Sequence, residues 1–428
     1  MAVAVMFISM IFMMAIGVPL GVCLIAPCFI MLLVDPLTSV EFLAQTFYSG
    51  TASFSMIAIP FFMICGDIMN LGGISKRLVN LANALFGRIT GSLGYVAILA
   101  CMFFGAVSGS AVATVAAIGG IMIPEMVREG YDRFYATALC ACAGGLGIIV
   151  PPSYPLVIYG ITVNESIGDL FLAGTVPAIL VGLALMFVNY FYCKKHNIRG
   201  HKKFEWKNVG KAFKESILAL LMPIIILGGI YSGAFSATES AVVATIYGII
   251  IGCFVYKEVS FKDLWKMYKN TATFSGGMML TVAPATAVGT MFAYMGVTAA
   301  INGFFLGLTS SRVIVMLIIV VILFLIGMFL QTTPAIVIFG PVLLGVVKQY
   351  GISTLQFGII MDLALAIGFC TPPVCANMFV AQSMTGLPLL KIVKKGIPFI
   401  IALVVCLIIV CLFPEISSGL VMALKALK

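Results

Sequence analysis

The stretch GGLGIIVPPSYP, residues 144–155, sets two adjacent prolines among glycines in a chain that otherwise reads as membrane helices. An interior proline costs a helix roughly 3 kcal/mol. A backbone group left unpaired in hydrocarbon costs several kcal/mol more. A similar break recurs in LAIGFCTPPVCAN, residues 365–377. Two such interruptions need a compensating role, and the rest of the sequence can be read outward from them.

Composition defines the solvent. The chain is 62% hydrophobic and 9% charged over 428 residues, with a mean hydropathy of +1.19. A soluble chain carries about 25% charged residues. Apolar runs recur at or above the roughly 20 residues that cross a bilayer as helix. The expected fold class is therefore an all-α polytopic membrane protein. The opening MAVAVMFISMIFMMAIGVPL lacks a basic leader and a small-residue cleavage site, and reads as a retained first span.

Charge placement orients it. Eight Lys/Arg lie between 194 and 214, at 194, 195, 199, 202, 203, 207, 211 and 214, which places this loop in the cytoplasm. Those charges flank spans, and one short loop makes no nucleic-acid-binding face. Most of the twelve cysteines stand singly in apolar runs, and Cys140 and Cys142 form only a C-x-C. The two histidines, His196 and His201, sit in the basic loop. Buried apolar thiols account for this pattern better than metal or redox chemistry.

The apolar runs cover about 3–34, 54–70, 93–123, 134–162, 170–193, 216–233, 237–256, 272–300, 313–347, 355–382 and 391–413. Runs 93–123 and 313–347 are too long for one comfortable crossing and carry small or polar residues at mid-length, so each reads as a re-entrant hairpin. In KEVSFKDLWKMYKN (257–270), Phe261, Leu264, Trp265 and Tyr268 follow helical spacing, the pattern of a helix lying in the interface. FEWKNVGKAF (204–213) reads the same way through Trp206, Val209 and Phe213, and Leu78, Leu81, Ala82 and Leu85 form a third stripe.

A shift of 221 residues superimposes Pro151-Pro152 on Pro372-Pro373, Gly147 on Gly368, Gly130 on Gly351 and Gly119 on Gly340. Four matches in one ungapped register point to duplication. The expected organisation is an N-terminal scaffold segment (1–50), a first repeat (51–200), a basic loop with scaffold spans and an interfacial helix (201–271), and a second repeat with the last span (272–428).

Gly/Pro-interrupted spans at corresponding positions of two halves mark the binding site of a transporter. Proline leaves a carbonyl one turn earlier without its donor, and glycine lets the chain unwind without steric cost. Free carbonyls are hard oxygen ligands, suited to Na⁺ when they line a protein cavity. Carbonyls around Gly147 and Val150 would then offset the cost of unwinding; the competing account is a proline kink satisfied by neighbouring hydroxyls. At the hairpin midpoints, Ser108-Gly109-Ser110 in one copy answers to Gly327, Gln331, Thr332 and Thr333 in the other. Of the few intramembrane carboxylates, Glu239 between Thr238 and Ser240 reads as a helix cap or brace, while Asp67 and Asp362 have no assigned role.

The Ser-Gly-Ser hairpin, GGIMIPEMVREGYDRFYATAL (119–139), the I-V-P-P-S break, PIIILGGIYSGAFSATESAVVA (223–244) and TPPVCANMFVAQSMTG (371–386) together resemble the large membrane subunit of tripartite ATP-independent periplasmic (TRAP) transporters, from about residue 50 to 413. The resemblance implies an inverted repeat with two re-entrant hairpins and a transport domain that slides like an elevator against a scaffold. It also implies Na⁺-coupled import of an organic acid anion, of the sialic acid or C4-dicarboxylate class, across the bacterial inner membrane. A small four-helix membrane subunit and a periplasmic solute-binding protein are the implied partners. Carried over residue by residue, one Na⁺ falls to Ser108, Ser110, Gly147, Val150 and Pro152. A second falls to Gly327, Gly368, Thr371 and Val374, and the solute to Ser153, Gln331, Thr332 and Asn377. Many relatives carry an aspartate at the second tip, where this chain has Gln331.

A channel with a fixed pore between the tips is the alternative, although no filter-like carbonyl run or ring-forming charged helix is present. An enzyme is not expected, because H-E-x-x-H is absent. A Walker A loop is absent too: the Gly-Lys at 210–211 has Glu205 where glycine is required. Apart from the coupling ion, no cofactor is expected.

Overall fold

The computed structural model describes residues 2–34, 38–86, 89–198 and 206–426. All regular structure among them is helical. Helices α1 (Ala2–Ala15), α2 (Leu20–Val34) and α3 (Val40–Thr51) lead into α4 (Ala58–Leu71) and α5 (Ile74–Phe86). Next come α6 (Ser92–Ser108) and α7 (Ala111–Arg128), then the segmented run α8 (Arg133–Gly144), α9 (Leu146–Ile149) and α10 (Tyr154–Val163). Long helices α11 (Ile167–Lys195), α12 (Trp206–Tyr231), α13 (Ala237–Ile249) and α14 (Phe261–Tyr294) fill the middle, followed by α15 (Val297–Leu308). The second series is α16 (Arg312–Phe329), α17 (Thr332–Gln349), α18 (Thr354–Gly368) and α19 (Ala376–Thr385), closed by α20 (Leu389–Leu412) and α21 (Glu415–Ala426). Ten helical stretches among the described residues are long and apolar enough to cross a bilayer.

Element boundaries recur 221 residues apart. Helix α7 ends at Arg128 and α17 at Gln349; α8 starts at Arg133 and α18 at Thr354. Asp132 caps α8 and Ser353 caps α18, each side chain accepting from the backbone N–H three residues on. Gly130 and Gly351, at φ 90° and 70°, hold the turns between, a left-handed conformation glycine adopts without Cβ strain. Both tandem-proline bonds, 151–152 and 372–373, are cis.

Single prolines behave differently from tandem ones. Pro27, Pro124, Pro177, Pro223, Pro284, Pro341 and Pro398 all lie inside continuous helices. One proline removes one donor, which neighbours absorb, whereas two in succession leave two consecutive carbonyls without their i+4 partners. Both tandem pairs fall where helical structure stops. The first segmented run is also the most enclosed: 89% of its apolar window is buried, against 22% for α12. Irregular backbone at membrane depth is tolerated where protein surrounds it.

Three expectations are corrected. The segment 257–270 holds no separate interfacial helix; from Phe261 on it forms the first turns of α14. No glycine or proline separates Tyr268 from Ser275, so nothing ends the helix there. Its supposed single stripe also splits. Leu264 and Met267 bury against Ile64, Ile68 and Val259, while Phe261 and Trp265 are 78% and 75% exposed. The run 204–213 likewise continues into α12 from Trp206. The 272–300 run stops at Tyr294, because Gly296 at φ 70° turns the chain into α15. Arg199, His201, Lys202 and Lys203 of the basic loop lie outside the described residues.

Candidate functional site

The break between α6 and α7 falls at Gly109, whose φ of 59° ends α6. Ser110 starts α7, its Oγ accepting from the Ala113 N–H at 3.4 Å. Thr114 Oγ1 donates to the Ser110 carbonyl at 2.7 Å and lies 3.3 Å from Ser108 Oγ. The segmented run closes on this tip. A Cβ on Gly147 would collide with Thr114 Oγ1 and the Ser110 carbonyl, and one on Gly105 would lie 2.8 Å from the Gly147 Cα. A Cβ on Gly109 would lie 3.0 Å from the Tyr154 nitrogen and 3.4 Å from the Pro152 oxygen. Ser108, Ser110, Gly147 and Pro152 therefore gather at one place, with Val150 on the adjoining half-buried turn.

The oxygens there have the right chemistry for a hard cation. The carbonyls of Gly147 and Ile148 face Pro151 and Pro152 four residues on, which carry no N–H. Among the described residues, no backbone donor reaches the carbonyls of Val150, Pro151 or Pro152. Nor do the described residues contain any group of three His, Cys, Asp or Glu able to hold a metal. The available donor set is neutral carbonyl and hydroxyl oxygen, which suits a hard alkali cation and not a transition metal.

The second half repeats the close approach with different details. A Cβ on Gly368 would lie 2.7 Å from the Gly327 Cα, and one on Gly327 would lie 3.0 Å from the Leu365 Cα. The Val374 N–H donates to the Met328 carbonyl at 3.3 Å, tying the unwound segment to the end of α16. Thr371 is held by its own turn: its N–H reaches the Gly368 carbonyl at 3.0 Å, and its Oγ1 the Ile367 carbonyl at 3.0 Å. Gly327, Gly368, Thr371 and Val374 thus share one neighbourhood. It is more open than the first, since the Val374 side chain is 45% exposed while Pro151 and Pro152 are buried.

The four solute candidates divide. Ser153, Thr332 and Asn377 are almost fully buried, and among the described residues Ser153 Oγ, Thr332 Oγ1 and Asn377 Oδ1 have no hydrogen-bond partner. Such groups are costly unless a ligand or water satisfies them. The Asn377 amide also donates to the Ala141 carbonyl at 3.2 Å, linking the two segmented runs. Gln331 is exposed at the start of α17, and its side chain makes no cap bond.

Sequence reading missed Thr114 and Gly105. Thr114 is fully buried, and its position one helical turn beyond Ser110 was the signal available. Gly66 is a further contact, since its Cβ would lie 2.8 Å from the Ser108 Cα; this sets α4, with Asp67, against the first tip. Glu239 closes a capping box with Ser236: the Ser236 N–H donates to Glu239 Oε2 at 2.7 Å, and the Glu239 N–H to Ser236 Oγ at 3.3 Å. It braces the start of α13. Asp362 is buried in α18, its Oδ1 unpartnered among the described residues. A hydroxyl-bearing cavity of about 350 Å³, lined by Ser49, Thr162, Thr286 and Thr290, opens where α3 and α14 face α10 and α17.

Comparison with known proteins places this geometry. The chain is 39% identical over 404 residues to the isethionate TRAP transporter permease protein DctMQ of Oleidesulfovibrio alaskensis, covering 94% of this chain and 64% of that protein. It is 34% identical to the sialic acid TRAP transporter large permease protein SiaM of Vibrio cholerae, covering 94% of each. It is 35% identical to the C4-dicarboxylate TRAP transporter large permease protein DctM of Pseudomonas aeruginosa, covering 89% of this chain and 90% of that one. Among solved structures, the YdaH transporter of Alcanivorax borkumensis superimposes with a TM-score of 0.67 at 13% identity, over 91% of this chain and 97% of that one. That likeness concerns the fold alone. These relatives are permeases and not enzymes, and the ten candidate spans agree with a multi-pass membrane protein. With residues 7–416 matching the family profile, the chain belongs to the DctM component of tripartite ATP-independent periplasmic transporters.

Proposed function

We propose that this chain is the large membrane subunit of a Na⁺-driven importer of an organic acid anion, acting in the bacterial inner membrane. The observation that carries the reading is the paired close approach of glycine backbone to hairpin tip, Gly147 on Ser110 and Gly368 on Gly327. At each, unwound backbone meets a tip inside the protein, an arrangement that repays its cost when the oxygens hold a cation. Ser108, Ser110, Gly147, Val150 and Pro152 would hold one ion. Gly327, Gly368, Thr371 and Val374 would hold the other. Bound Na⁺ supplies positive charge that draws tip and unwound segment together, and its gradient supplies the driving force.

Solute recognition follows from the same breaks. Helices α7, α10, α17 and α19 all begin at a tip or a tandem proline, and helix N-termini favour anions. Ser153, Thr332 and Asn377 offer unsatisfied polar atoms beside three of those starts. Relatives named for isethionate, sialic acid and C4-dicarboxylate share an anionic organic solute, and the sialic acid or C4-dicarboxylate class is the proposed cargo here. Na⁺ organises both tips and thereby raises solute affinity, a coupling that is reciprocal. The loaded hairpins and segmented runs then move as a body against the remaining helices. The solute arrives from a periplasmic binding protein, and a small four-helix membrane subunit completes the scaffold.

The test is uptake of labelled sialic acid and succinate into proteoliposomes containing this chain, a small subunit and a binding protein, with and without an inward Na⁺ gradient. Uptake that collapses without Na⁺ supports the reading. Uptake indifferent to Na⁺ removes the cation role. Solute-independent current points instead to a fixed pore.

A further inference from the structure

We propose that the groove between α11 and α20 holds one anionic phospholipid of the cytoplasmic leaflet, with its phosphate at Lys195, Lys394 and Lys395 and an acyl chain along Phe187 and Phe191. The groove has a volume of about 420 Å³. Phe187 and Phe191 in its wall are 64% and 52% exposed, and Pro398 continues the apolar surface on α20. All three lysines are exposed, and none has an ion-pair partner among the described residues.

The charge distribution selects the occupant. Three ammonium groups rim the groove, and its lining contains no carboxylate. Asp132, close enough to act electrostatically on Tyr192, is committed as the N-cap of α8 and accepts from the Tyr135 N–H at 2.8 Å. Lys395 Nζ stands 6.0 Å from the Tyr192 ring centroid, within cation–π range. That ring also stacks with Tyr135 and with His196. The stacking holds Tyr192 beside Lys395 at the rim, with the exposed phenylalanines further along α11.

The leaflet follows from the chain. Lys195 ends α11 at the start of the basic stretch 194–214, which the positive-inside rule places in the cytoplasm, where the anionic lipids are. A basic pocket between helices on that side matches a phospholipid headgroup better than a free anion, because the phenylalanine wall would otherwise stay open.

The experiment is native mass spectrometry of the full chain in detergent, titrated with cardiolipin or with phosphatidylcholine. Wild type should retain cardiolipin selectively. K195Q/K394Q/K395Q should weaken its tightest site about a hundredfold, taking about fivefold per lysine. Phe187→Ala with Phe191→Ala should weaken it with the lysines intact. K262Q/K266Q/K269Q, an equal charge change at the start of α14, should leave that site unchanged, and a melting curve for each variant verifies folding. Retention of cardiolipin by the first triple variant overturns the proposal, as does equal loss in the second. Displacement of cardiolipin by millimolar inorganic phosphate would make the site a phosphate site and also refute it.

Discussion

Gly147→Ala adds one methyl group where the structure has no room for it. The new Cβ would fall on the Thr114 hydroxyl and the Ser110 carbonyl. The hydroxyl is a side-chain end, but the carbonyl is backbone at the first turn of α7, held by Thr114 N–H and Oγ1 at 3.0 and 2.7 Å. Relief therefore requires the hairpin tip and the segmented run to separate. Overpacking of this kind costs about 1–3 kcal/mol. If the tip oxygens are cation ligands, that separation opens the cage in the ion-bound state. A loss of about 1.4 kcal/mol of ion binding is a tenfold loss of affinity. The expected result is an apparent Na⁺ affinity for uptake at least about tenfold weaker, with a lowered melting temperature. Gly276→Ala is the matched control: it lies in α14 with nothing within 4 Å of its Cβ, so alanine there should be neutral or slightly stabilising. An unchanged Na⁺ dependence in a folded Gly147→Ala protein would refute the reasoning.

Three further outcomes follow from the same geometry. Gly368→Ala drives a Cβ into the Gly327 backbone, so it should weaken Na⁺ dependence comparably, read from the same titration. Thr114→Val keeps the volume but removes the hydroxyl that joins Ser108 and Ser110; it should cost about 1 kcal/mol of stability by thermal melting and raise the Na⁺ concentration needed for half-maximal uptake. Ser236→Ala removes the cap of α13, should cost about 1 kcal/mol, and should leave the Na⁺ dependence of uptake untouched, which separates helix bracing from ion binding.

Much of the arrangement was legible before any coordinates. Tandem prolines announce breaks because two successive missing donors cannot be absorbed as one can. The helix breaks at Gly109 and at Leu330-Gln331 were visible as small or polar residues where an apolar run should have continued. Glu239 was readable as a cap from its serine and threonine neighbours. The interfacial pieces misled for a local reason. Phe261, Leu264 and Trp265 fall within one broad arc of the helix, but contact with Ile64 and Ile68 buries only its Leu264–Met267 edge. Thr114 escaped notice because its role depends on a glycine 33 residues away, a pairing that periodicity does not encode.

The sequence by itself determined the solvent, the rough extent of most apolar helices and the register in which the halves repeat. Each of these follows from quantities that add along the chain: transfer free energy, charge and missing backbone donors. Only the tertiary structure decided which glycines touch which tips, that Ser153, Thr332 and Asn377 are buried with unmet polar atoms while Gln331 faces out, and that the first break is enclosed while the second is partly open. Those properties come from contacts between residues far apart in sequence, where one methyl group more or less decides whether two backbones can meet.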